Sequence, residues 1–184
     1  MRIAILVAFS LLSIVPRAQA ANAPLPEDIA MVRSCMDLVA ANDAARPPHV
    51  ADELTEKIGP AGRLAGAAML SASDRASCIG VVANKCVQDS GGTGDDSSEI
   101  GCSLREAAVW QQRLDSAYKT VRAGMEHDAA AHLEKVEHAW TIWRDLACRQ
   151  PYVTYQGSMA GPMEAWCEMN LTARQAVWME EWKE

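Results

Sequence analysis

Phenylalanine is nearly missing from this 184-residue sequence, with Phe9 the sole example and only three tyrosines beside it. A core cannot be built here from the usual aromatic rings. It must come from Leu, Val, Ala and Met and from six tryptophans. Strand-type alternation of apolar and polar residues is absent throughout, which excludes a β-sandwich or barrel. No G-x-S-x-G, no H-E-x-x-H and no Gly-rich turn from strand to helix occurs, so the common nucleophile, metalloprotease and phosphate-binding motifs have no counterpart. Catalytic residues are accordingly expected to be none, and an enzyme is not expected. Bases are also scarce, 17 against 24 acids. That deficit argues against nucleic acid and anionic membrane as partners and suits a cationic one.

Zinc and calcium are likewise not expected, and no cofactor is implied. The sequence has no C-x-x-C pair. His127, His132 and His138 are offset by five and six positions, whereas a helical metal pair wants four. The acidic stretch 89–99 places Gly94 at the sixth position of a calcium loop counted from Asp89. Its third position is Gly91 and its twelfth is Ile100, which removes the required oxygens. The stretch is expected to be a flexible loop.

What is present begins with an export signal. Arg2 precedes an apolar run over residues 3–15, Pro16 breaks it, and Ala18-Gln19-Ala20 is a small-x-small cleavage site. Residues 1–20 are therefore expected to be a signal peptide cleaved near Ala20, with a periplasmic or secreted product. The run is short for a membrane span and no Cys follows it directly, so no stable membrane anchor is expected. Cleavage removes Arg2 and Arg17 and no acid, which leaves 15 bases against 24 acids.

The six cysteines, Cys35, Cys78, Cys86, Cys102, Cys148 and Cys167, all lie after that site. An even count in an exported chain reads as a disulfide framework. Six cysteines allow about 15 pairings. If Cys78 and Cys86 share a helix they stand about 12 Å apart, beyond disulfide reach. The most local scheme consistent with that is Cys35–Cys78, Cys86–Cys102 and Cys148–Cys167, with other pairings still open.

Apolar periodicity predicts helices. Residues 27–42 carry Ile29, Val32, Cys35, Met36 and Val39 on one face. A short helix is expected over 50–58, ended by Gly59-Pro60, then an Ala-rich stretch over 61–70. Ser73-Asp74 is expected to cap a helix running to about Val87. Three longer amphipathic helices follow. The first has Ala107, Trp110, Leu114, Ala117, Val121 and Gly124/Met125 on its stripe. The second has Leu133, Val136, Trp140, Trp143 and Ala147. The third has Met163, Trp166, Cys167, Leu171, Val177 and Trp178. Breaks at 126–128 and around 156–162 imply antiparallel neighbours. The fold class is thus all-α, a disulfide-stapled antiparallel helical bundle. The tryptophans are expected mainly in the core, with an exposed patch for a protein partner as the functional alternative.

One signature stands out. Cys102-x-x-Arg105-Glu106-x-x-x-Trp110-x-x-x-Leu114-Asp115-x-x-Tyr118 is followed by Ala139-Trp140-x-x-Trp143-Arg144-Asp145-x-x-Cys148. A Gly157-Ser158-Met159 loop, Cys167 and Thr172-x-Arg174 complete it. This order resembles the LprI-like lysozyme-inhibitor family over about residues 86–182. The resemblance implies a helical domain with Cys86–Cys102 and Cys148–Cys167 bridges, and a lysozyme as the partner. It implies structural roles for Asp115, Tyr118, Trp140, Arg144, Asp145 and Arg174. The family's name-giving member is a lipoprotein, whereas this chain has no lipobox. The expected organisation is a signal peptide over 1–20, a helical extension over 21–77 and the LprI-like domain over 78–184, the last two packed as one unit. Tyr155, Gln156, Gly157, Ser158 and Met159 form the candidate binding loop, between Cys148 and Cys167. The alternative is an envelope adaptor that inhibits no lysozyme and binds through its tryptophan faces.

Overall fold

The computed structural model describes residues 24–44, 75–91, 95–155 and 157–182. The expected signal peptide over 1–20, the expected elements over 45–74 and Gln156 lie outside the described residues. Those described are helical, with no strand among them.

Helix α1 spans Pro26–Ala44. Proline suits its first position, and Glu27 and Asp28 complement the positive end of the helix dipole. Val32 and Met36 are buried, with Ile29, Cys35 and Val39 packed beside them, so the expected face is the one that meets the core. A 3₁₀ turn, Ala76–Cys78, follows, then α2 over Val81–Asp89. A single helix reaching Val87 does not form. Gly80 adopts φ +98°, a left-handed conformation that glycine tolerates, and this splits the segment in two. Cys78 and Cys86 therefore share no helix.

Helix α3, Asp96–Ala123, is the longest at 28 residues. It starts earlier than the expected loop over 89–99 allows. Asp95 caps it, its Oδ1 accepting from the Ser98 N–H at 2.7 Å, so the acids read as loop include the first turn of a helix. Helix α4 spans His127–Cys148, α5 the short Gln150–Thr154, and α6 Ala160–Glu181. Three disulfides hold these together: Cys35–Cys78, Cys86–Cys102 and Cys148–Cys167. They are the most local scheme, and they join α1 to the 3₁₀ turn, α2 to α3, and the end of α4 to α6.

The core lies chiefly between α3 and α6, which pack along most of their length. Trp110, Leu114, Ala117 and Val121 of α3 meet Met169, Ala173, Ala176 and Met179 of α6 in one buried cluster. Small side chains on α6 allow close approach, and methionines fill the irregular gaps. This is not the stripe expected for α6. Of its members Val177 is buried as expected, but Met163, Trp166 and Trp178 are exposed, and Pro162, Ala165, Met169, Thr172, Ala173, Ala176 and Met179 are buried instead.

Two buried charges tie the remaining elements to α3. Glu106, expected off the apolar stripe, is fully buried. Its Oε1 accepts from the Gly80 N–H at 2.6 Å and from Trp110 Nε1 at 2.8 Å. Its Oε2 accepts from the Val82 and Ala83 N–H groups at 2.9 and 2.8 Å. One carboxylate thus satisfies the otherwise unpartnered donors at the start of α2, where the helix dipole also favours negative charge. Asp28 of α1 is buried as well and accepts a forked contact from Arg105, with Nη2 to Oδ1 at 2.7 Å. That contact holds the Arg105 pKa above its usual value.

Candidate functional site

Helix α4 sits differently. Of its 22 residues only Leu133 and Cys148 are buried. Val136, Ile142, Trp143 and Leu146 are exposed, with Trp143 at 54% and Leu146 at 68%. The expected core role of Val136 and Trp143 is thereby corrected. Only Trp110 is fully buried. Trp140 is half-buried, whereas Trp143, Trp166, Trp178 and Trp182 are exposed. Aromatic rings do not fill the space left by phenylalanine; alanine and methionine do.

Arg144 fixes α4 to the bundle. Its Nη1 donates to Gln111 Oε1 of α3 at 3.3 Å and to Thr172 Oγ1 of α6 at 3.2 Å. Its Nη2 donates to the adjacent Asp145 at 2.8 Å, and the guanidinium lies 5.1 Å from the Trp140 ring centroid. The signature Trp140-x-x-x-Arg144-Asp145 is thus a clamp linking three helices, not an exposed reactive group. Tyr118 packs on the core. Asp115 and Arg174 are exposed, and each hydrogen-bonds within its own helix, Asp115 accepting from Gln111 and Arg174 donating to Asn170.

Beyond Cys148 the chain makes α5 and a brief connection before α6 begins at Ala160. The Cys148–Cys167 bridge closes this excursion. Gly157 and Ser158 are exposed, and Tyr155 and Met159 are 53% and 55% exposed. Gly161 and Pro162, expected in the loop, belong instead to the first turn of α6. Gly161 sits close to the start of α3: a Cβ there would stand 2.8 Å from Ile100 Cδ1, so a larger residue would displace the end of the Ile100 side chain.

Next to this contact in the chain lie the walls of a groove that the stripes expected from the sequence do not reveal. One hollow of about 280 Å³ is walled by Glu99, Met159, Pro162, Met163 and Trp166. An adjoining one of about 430 Å³ shares Glu99, Pro162 and Trp166 and runs toward Asn84, Gln88 and Ser103. The sequence did carry a signal for it. Alpha-helical spacing fits two stripes on α6, and the one made of small residues turns inward. Met163 and Trp166 are left to line the surface.

Electrostatics separate this end of the molecule from its core. Burial, and then the nearby Glu164 carboxylate, holds Glu168 above the usual carboxylate pKa. Burial likewise raises Glu137, against the opposing hydrogen bond from Gln175. Partial desolvation, then Glu164, raises the Tyr152 phenol. His127, His132 and His138 are exposed. Among the described residues no cluster of His, Cys, Asp or Glu has the arrangement of a metal site, and no helix is long and apolar enough to cross a membrane.

No curated protein and no solved structure matches the chain. A family model described as "Lysozyme inhibitor LprI" matches residues 86–178, from Cys86 in α2 to Trp178 in α6. The match takes in two of the three disulfides, Glu106 itself and the Arg144 clamp, and on it the chain belongs to the LprI family.

Proposed function

We propose that this chain is an exported protein that inhibits a lysozyme by direct contact, using the connection over residues 155–159. The observation that carries the reading is the Cys148–Cys167 closure of a short segment presenting exposed Tyr155 and Met159. A segment held at both ends loses less conformational freedom on binding than an open loop does. Three disulfides suit an oxidising compartment, the periplasm or the exterior, where a lysozyme would be met. The acidic balance, −7 for the whole sequence, steers a cationic enzyme toward the chain and raises the encounter rate. The extension over 21–77 and the domain over 78–184 act as one unit in this reading. The Cys35–Cys78 bridge and the Asp28–Arg105 pair support that.

A second reading has its own observation. The outer face of α4, with Ile142, Trp143 and Leu146 exposed, suits an adaptor that binds another envelope protein and leaves lysozyme alone. Turbidity of a peptidoglycan suspension separates the two. The inhibitor reading expects micromolar chain to slow lysis, and it expects Ser158→Asp to lose most of that effect, because the new carboxylate meets the acids of the enzyme's cleft. Unchanged lysis by several lysozymes overturns the inhibitor reading.

A further inference from the structure

We infer that the groove beside the connection receives a lysine or arginine side chain from an extended segment of a cationic protein partner. The inference rests on the protein-binding reading above for the class of partner, and on the groove itself for the chemistry. Glu99 is the sole charged side chain in the walls of either hollow. Other acids nearby are engaged: Asp89 with Lys85 at 2.9 Å, Asp95 as the α3 cap, and Glu164 with Arg149 at 3.8 Å. Among the described residues the Glu99 carboxylate has no hydrogen-bond or ion-pair partner. It stands half-buried against Trp166, Met163 and Pro162.

An unpaired carboxylate on an apolar wall is complementary to a long basic side chain. The methylene stem lies along the apolar surface while the charge reaches the acid. Trp166, 55% exposed, adds an aromatic face for the cation. Exposed Met159 and Met163 adapt to different stem lengths. The second hollow offers Asn84, Gln88 and Ser103, polar groups suited to the backbone on either side of that basic residue. Two adjoining open hollows that share a wall suit a chain segment better than a compact ligand, and Glu99 together with the net charge of −7 disfavours nucleic acid and anionic lipid. Met159 belongs both to the connection and to the groove wall, so a partner engaging the connection already lies over Glu99.

The test uses the full exported chain, isotope-labelled, titrated with blocked tripeptides Gly-Lys-Gly, Gly-Arg-Gly and Gly-norleucine-Gly. The Lys and Arg peptides are expected to shift the Trp166 indole N–H and the Glu99 amide saturably. Their affinity is expected to exceed that of the norleucine peptide about fivefold, as one partly desolvated charge pair gives. Glu99→Gln is expected to abolish that preference, and Trp166→Ala to weaken all three peptides. Equal binding of the Lys and norleucine peptides, shifts confined to other residues, or a preference that survives Glu99→Gln overturns the proposal. Lysozyme takes no part in this titration. A positive titration with no inhibition of lysis removes only the inhibitor reading, and inhibition with a negative titration removes only the groove.

Discussion

The α3–α6 pair and the α4–α5 arm have the same secondary structure and opposite surfaces. Around α3, where α6, α1 and α2 pack on it, apolar side chains are covered and the two buried acidic residues have donors: Glu106 takes four and Asp28 takes Arg105. On the arm, apolar side chains face solvent, and Glu137 of α4 and Glu168 of the facing part of α6 are half-buried at a cost that raises their pKa. The difference teaches where stability and recognition lie. A buried, fully partnered charge fixes how helices meet, because leaving any donor unpaired is expensive. An exposed Trp or Met contributes little to folding and remains available to a partner.

The sharpest way to break this comparison is at Glu106. Glu106→Ala strands the N–H groups of Gly80, Val82 and Ala83 and the Trp110 indole. A loss of about 4 kcal/mol or more is expected in urea unfolding. A loss under about 1 kcal/mol would mean that the cap is dispensable. Next comes the Cys148→Ala/Cys167→Ala pair, which opens a loop with a sequence separation of 19. Loop entropy predicts about 3 kcal/mol, together with faster amide exchange across α5 and the end of α4. Unchanged exchange there would show that packing alone holds the arm.

On the outer face of α4, Trp143→Gln with Leu146→Gln is expected to change unfolding free energy by about 1 kcal/mol or less. A loss approaching that of Glu106→Ala would contradict the contrast, because it would place this face inside the folded unit. The smallest effect is expected at Glu168. Its folded pKa lies above the usual 4.5, so the folded chain holds that proton more tightly than the unfolded one. Stability from this group therefore rises as pH falls through the raised value toward 4.5 and is flat above it. Glu168→Gln is expected to raise Tm slightly at pH 7 and to leave it unchanged near pH 4. A drop at pH 7 would show that the attraction of Arg144 and Arg149 outweighs burial.

Much of the fold was legible because local spacing carried it. The α1 face and the stripe of α3 from Trp110 to Val121 depend on residues near one another in the chain, and the disulfides follow the order of the six cysteines. Glu106 was not legible. Its donors come from a turn 23 to 26 residues earlier, and a charge beside an apolar stripe ordinarily faces water. The register of α6 misled for a related reason. Large apolar residues ordinarily mark the buried face, yet here close contact with α3 selects alanine and turns Trp166 out. The candidate loop could be located between its cysteines. The groove next to it forms where Glu99 of α3 meets Pro162 and Trp166 of α6, a juxtaposition of helices that spacing within one helix does not reveal.

The central claim is that partners meet the disulfide-closed connection and its groove, not the α3–α6 core. Amide hydrogen exchange of the chain, measured alone and with an excess of a cationic lysozyme, tests this most directly. Protection is predicted over residues 157–166 and around Glu99, with α4 residues 136–146 unchanged. Protection confined to the outer face of α4, or none anywhere, would contradict the account.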